Sequence, residues 1–147
     1  MHIIIPVFID DITLATKSKE VLDKAVEELS KHFPLRDLGP TSFLLGIHIT
    51  RDFEKRTIAL SQCQYIINML NHFGHANCRP VSTPMDLGLH FTAAMGATTD
   101  EDKVYMLTAP YFGAVGTFMY LGLTTCPDIS NAVGILSCFS ANPGPTH

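Results

Sequence analysis

Charge is what this sequence is short of. Lys, Arg, Asp and Glu make up 16% of its 147 residues, against roughly 25% in an average soluble domain. A surface so poorly charged fits a chain that a partner covers in part, or one cut from something larger. Basic excess is missing too: the formal net charge is −4. Autonomous nucleic-acid binders carry a basic balance, so the overall electrostatics argue against strong, independent binding of that kind. The four cysteines (Cys63, Cys78, Cys126, Cys138) form no CxxC pair. The opening run Ile3–Ile9 has neither a basic leader nor a small-residue cleavage site. It also falls far below the roughly 20 apolar residues that cross a membrane. There is no internal repeat. These absences lead to the expectation of free thiols in a reducing, intracellular compartment, cytoplasmic or nuclear, with neither secretion nor a membrane.

What is present suits one domain or two small lobes. Residues 3–9 are apolar and rich in β-branched side chains, and read as a buried strand. Asp10-Asp11 interrupts the run and Ile12-Thr13-Leu14-Ala15 resumes it, which predicts a β-hairpin. Ser18 offers an N-cap with Glu20 in the first turn. Val21, Leu22, Ala25, Val26, Leu29 and Phe33 then recur at helical spacing, and the helix ends before Pro34. After the turn at Arg36–Pro40, Phe43, Leu45, Ile47 and Ile49 alternate as in a strand, and Thr57–Leu60 supplies a second one across the charged loop Arg51–Arg56. Gln62 to Phe73 reads as a helix with Gly74 past its end. Residues 78–100, rich in Pro, Thr, Gly and Met, read as a long surface connection. Two helices follow near 110–123 and 127–140, with Pro110 and Pro127 at first-turn positions. The tail Asn142–His147 reads as irregular.

The most informative feature is Phe8-Ile9-Asp10-Asp11 between two apolar strands. Two adjacent carboxylates on a buried hairpin are costly unless their charge is compensated. Mg²⁺ does this with carboxylate and phosphate oxygens, and a pair of such ions stabilises the attacking and leaving oxygens of phosphoryl transfer. A solvated Asp-Asp turn explains the same residues blandly, since Asp favours turns. Cys63, His72, His75 and Cys78 offer a zinc-ligand alternative. Gly74 breaks the helix between the two histidines, and helix-end imidazoles with buried thiols account for them equally. A Cys–His nucleophilic pair has still less to single it out among four Cys and seven His.

The order of short motifs along the chain decides between these readings. After the hairpin and helix come Leu38-Gly39-Pro40, Phe43-Leu44-Leu45-Gly46-Ile47, Leu60-Ser61-Gln62-Cys63-Gln64-Tyr65, Pro80-Val81-Ser82-Thr83-Pro84, Ala114-Val115-Gly116, Met119-Tyr120-Leu121 and Pro127-Asp128-Ile129. This order resembles the copia-type retrotransposon reverse transcriptase (RNA-directed DNA polymerase) over nearly the whole chain, most loosely at 86–108. The resemblance implies an α+β fold. A partial palm, with its Asp-Asp hairpin, packed helix and primer-grip-like hairpin, would occupy 1–61. A helical, thumb-like part would occupy 62–147, with a loop-rich connection at 78–108.

The resemblance also implies roles. Asp10 and Asp11 match the two adjacent catalytic, metal-binding aspartates, and Phe8 stands where the family usually has Tyr. Leu45, Gly46 and Ile47 match the turn that grips the primer end. Ala114, Gly116 and Thr117 would approach the template–primer duplex, and Lys55, Arg56, Arg79 and Lys103 are the candidate phosphate contacts. Three departures accompany the match. No acidic residue precedes Asp10, so the family's third carboxylate, the fingers and the nucleotide-binding part are all expected to be lacking. Cys126 and Cys138 replace positions that are often basic. The ribonuclease H domain that follows in the family is expected to be lacking as well.

The expectation is therefore a fragment that does not polymerise by itself, with weak or absent Mg²⁺ binding and weak nucleic-acid binding, where the parent enzyme holds an RNA–DNA or DNA duplex. Its apolar first strand is expected to pair with a second copy or with the absent N-terminal half. The rival reading is a domesticated protein-interaction or structural module that kept the fold and lost the chemistry.

Overall fold

The structure, a computed structural model, describes residues 2–86 and 88–147. Leu87, within the long connection read at 78–100, lies outside the described residues. The architecture is α+β, and the chain divides into two compact units, Met1–Leu44 and Leu45–His147.

In the first unit, β1 (Val7–Phe8) pairs antiparallel with β2 (Asp11–Ile12), Val7 opposite Ile12 and Phe8 opposite Asp11. An isolated bridge, Ile4 to Ala15, prolongs the pairing through two 2.9 Å backbone hydrogen bonds. Pro6 has no N–H to give the ladder, so the regular strand shrinks to two residues. This corrects the expectation of a buried strand over 3–9: Ile4, Ile5, Val7, Phe8 and Ile9 are all exposed. Composition gave that run the makings of a core strand, but burial needs neighbours, and no described element covers it.

Helix α1 (Lys19–Ser30) follows the expected pattern. Val21, Leu22, Ala25, Val26 and Leu29 are half-buried, while Asp23, Lys24, Glu27 and Glu28 face water. Ser18 occupies the N-cap with extended backbone but makes no side-chain cap bond. The turn after α1 is held by Asp37, whose Oδ1 accepts from Gly39 N–H at 2.8 Å. β3 (Phe43–Leu44) closes this unit.

The second unit opens on a turn at Leu45-Gly46, with φ of +51° and +82°. The alternation over Phe43–Ile49 predicts one continuous strand, yet the left-handed backbone at these two residues breaks it. Glycine enters that conformation freely. β4 (Ile47–Asp52) then pairs antiparallel with β5 (Thr57–Ser61), from His48 opposite Ser61 to Asp52 opposite Thr57. Helix α2 (Cys63–His72) ends in a Schellman motif at Gly74, with Gly74 N–H on Asn71 O and His75 N–H on Leu70 O.

Helix α3 (Asp100–Thr108) lies where the sequence reading placed connection. Thr99 caps it by accepting from Asp102 N–H at 3.1 Å, and three acidic residues favour its N-terminal dipole. Helix α4 (Tyr111–Thr124) and helix α5 (Ser130–Ser137), entered through a 3-10 turn at Pro127–Ile129, form a helical hairpin. Gly122 lets them approach: a Cβ there would lie 3.3 Å from Ser130 Cα, and Ser130 Oγ donates to Gly122 O at 2.8 Å. Met69, Val115, Leu121, Ala132 and Val133 form the small core.

The irregular tail is packed rather than free. His147 stacks on Phe139 at 4.3 Å, Phe91 adds an edge, and the buried Gly96 and Gly144 leave no room for a side chain. Among the described residues, no single helix is long and apolar enough to cross a membrane.

Candidate functional site

The acidic hairpin is built by its register. With Phe8 paired to Asp11, only Ile9 and Asp10 remain to turn the chain. Ile9 takes φ +51°, a conformation that costs an L-residue about 1–2 kcal/mol and is rarest for β-branched side chains. Strain of this kind collects at functional turns. Its effect here is to project two consecutive carboxylates, Asp10 and Asp11, into solvent, with Ile9 itself 81% exposed.

Carboxylate oxygen is the donor type that Mg²⁺ prefers, so the chemistry of the pair fits that ion. The number of donors does not make a cage. Among the described residues no three His, Cys, Asp or Glu side chains are grouped to hold a metal. The same observation finds no zinc cluster at Cys63, His72, His75 and Cys78, and all four cysteines are free thiols. An octahedral ion on Asp10 and Asp11 would keep most of its ligands as water. Calorimetry should therefore find Mg²⁺ affinity of about a millimolar or weaker, and micromolar affinity would contradict a half-built site.

A second constellation surrounds Leu45-Gly46 at the head of β4. Tyr120 of α4 donates its hydroxyl to Leu45 O at 2.5 Å. Its ring meets Tyr65 of α2 edge-on, centroids 5.4 Å apart at 71°. Tyr65 in turn fills the space above Gly46, where a Cβ would sit 3.1 Å from its ring. Burial, with a smaller effect from Tyr65, holds the Tyr120 phenol above its ordinary range, so it stays a neutral donor. Behind the tyrosines, Gln62 is 2% exposed. Its Oε1 takes the hydroxyls of Thr124 at 2.5 Å and Thr125 at 2.6 Å. Its Nε2 is buried without a partner among the described residues.

The residues marked for nucleic acid lie on separate elements. Lys55 and Arg56 sit exposed at the tip of the β4–β5 hairpin. Lys55 pairs with Asp52 at 3.5 Å, while Arg51 lies 4.6 Å over the exposed ring of Phe53. Arg79 is exposed in the connection after α2, Lys103 pairs with Asp100 on α3 at 3.3 Å, and Gly116 is exposed on α4 with open space beside it. The sequence reading missed roles for Tyr65, Tyr120, Gln62, Thr124 and Thr125. Gln62-x-x-Tyr65 and Met119-Tyr120-Leu121 served only as motifs of the resemblance.

Residues 1–87 match the family described as reverse transcriptase (RNA-dependent DNA polymerase). The chain belongs to that family, and it corresponds to part of the reverse transcriptase region of a copia-type retrotransposon polyprotein. It is 41% identical over 145 residues to the retrovirus-related Pol polyprotein from transposon TNT 1-94 of Nicotiana tabacum, covering 99% of this chain and 11% of that protein. An uncharacterised mitochondrial protein of Arabidopsis thaliana is 35% identical over 129 residues, 88% of this chain and 50% of its own length. The Pol polyprotein from transposon RE1 of Arabidopsis thaliana is 32% identical over 141 residues, 96% of this chain and 9% of its own. The chain thus spans about a tenth of the polyproteins and half of the mitochondrial protein. No solved structure matches.

Proposed function

We propose that Asp10 and Asp11 are two of the carboxylates of a phosphoryl-transfer site whose remaining groups come from another segment, and that the 147 residues alone do not polymerise. The observation that carries this is the strained two-residue turn presenting adjacent carboxylates in a chain of this family. Mg²⁺ would supply charge neutralisation of phosphate oxygens there. The chain's own contribution is to hold Asp10 in the turn and Asp11 at the first strand position after it, both exposed where an incoming phosphate can reach. In the same reading, Leu45–Ile47 meet the primer strand of an RNA–DNA or DNA duplex, and Lys55, Arg56, Arg79 and the open face at Gly116 lie along its backbone.

The exposed apolar hairpin (Ile4, Val7, Phe8, Ile9) favours a second reading, a protein-interaction module that retains the fold. Salt separates the two. Contacts to phosphate release counterions, so duplex affinity must fall steeply as salt rises, whereas apolar docking does not. With so few cations, binding of an RNA–DNA hybrid should be no tighter than about 10⁻⁵ M at physiological salt, and weaker still as salt is added. Nanomolar affinity would contradict the expected weakness, and affinity indifferent to salt would overturn the duplex reading.

A further inference from the structure

Three segments far apart in sequence meet at one place. Gly46 heads β4, Gln62 and Tyr65 begin α2, Tyr120 and Thr124 lie one turn apart on the same face of α4, and Thr125 ends it. The contacts among them are specific. The hydroxyl of Tyr120 spans 75 residues to reach Leu45 O, and those of Thr124 and Thr125 reach back to Gln62 across 62 and 63. An isolated two-residue turn of non-glycine and glycine has several conformations of similar energy. Here one carbonyl is pinned, and an aromatic ring stands where any side chain on residue 46 would go.

We infer that Tyr120 is a positioning residue for the Leu45-Gly46 turn: its hydroxyl fixes the Leu45 carbonyl, and its ring braces Tyr65 against Gly46. The Gln62–Thr124–Thr125 knot ties the start of α2 to the same helix one turn further on. Glycine at 46 meets two demands together, the φ of +82° and the closeness of Tyr65. The inference deepens the duplex reading by naming what sets the height of the primer-facing turn. It rests on that reading only for what the turn touches.

The test uses the whole chain carrying Tyr120→Phe, which keeps the ring and removes the hydroxyl. Its matched control is Tyr111→Phe, which removes an equivalent hydroxyl bond, Tyr111 to Leu136 O at 2.8 Å, at the far end of α4. Both should lower the melting temperature by similar small amounts. Only Tyr120→Phe should loosen Leu45–Ile47, with ¹⁵N order parameters falling from the rigid range near ~0.85 toward the flexible range below ~0.6. Its affinity for an RNA–DNA hybrid should drop about 2- to 10-fold, the size of one hydrogen bond. A turn that stays equally rigid in Tyr120→Phe, or loosens as much in Tyr111→Phe, would overturn the positioning role. A turn that loosens while hybrid affinity holds would sustain the clamp and remove the duplex reading instead.

Discussion

Gln62→Ala should cost the second unit about 3 kcal/mol, a fall in melting temperature of roughly 10–20 °C for a unit of this size. Three losses combine. Two hydroxyl hydrogen bonds disappear, at about 0.5–1.5 kcal/mol each. The Thr125 hydroxyl is left without its acceptor in a half-buried place, while Thr124 can still turn to Tyr120 O at 2.7 Å. A cavity opens at a site only 2% exposed, with nothing flexible enough to close it fully. Gln62→Met gives the internal check. It keeps the volume, and it removes the unpartnered Nε2 along with the two accepted bonds. Its loss should therefore be the smaller, by about 1–2 kcal/mol, since both variants lose the two accepted bonds and the unpartnered Nε2 and only Gln62→Ala opens the cavity. Thermal melts of the two variants would decide. A shift under about 2 °C for Gln62→Ala would mean that the knot contributes nothing.

Primer extension by the 147 residues alone should be undetectable, with Mg²⁺ or with Mn²⁺. Two-metal phosphoryl transfer requires both ions to be held against the attacking and leaving oxygens, and enzymes of this kind supply accelerations of at least about 10⁶-fold that vanish with the geometry. The acidic hairpin offers Asp10 and Asp11 and no third grouped ligand among the described residues. A nucleoside triphosphate also needs a cavity with cations. One surface hollow, about 450 Å³, is lined by Asp100, Glu101, Val104 and Tyr105, and its two carboxylates would repel a triphosphate. Another, about 170 Å³, has Arg51 and Arg56 in its wall but is too small for a nucleotide and includes neither Asp10 nor Asp11. Template-dependent incorporation that Asp10→Asn abolishes would sink this expectation.

What could be read from the sequence was what is local. The 3.6-residue periods of Val21–Leu29 and Tyr65–Leu70 locate α1 and α2, and Gly74 takes the left-handed position that ends α2. The Asp10-Asp11 turn is likewise visible as a polar break in an apolar run. Four features were not legible, each for a different reason. Burial of residues 3–9 depends on neighbours, so an apolar, β-branched run could be left exposed. The alternation through Phe43–Ile49 continues across a two-residue turn, so periodicity alone cannot see the break at Leu45-Gly46. Helix α3 has no apolar stripe, since Val104 and Leu107 are both exposed. Its only signal was Thr99 followed by three acids. The knot at Gln62 was beyond reach because it joins residues about 60 apart through side-chain hydroxyls, which leave no periodic trace.

Asp10 and Asp11 are proposed as part of a site completed from another segment. Mixing this chain with the separately expressed, preceding portion of the reverse transcriptase region from the tobacco relative, on a primed RNA template, addresses that directly. The expected result is primer extension by the mixture, absent from either component alone and lost when this chain carries Asp10→Asn. Extension by the mixture that survives Asp10→Asn and Asp11→Asn alike would contradict it.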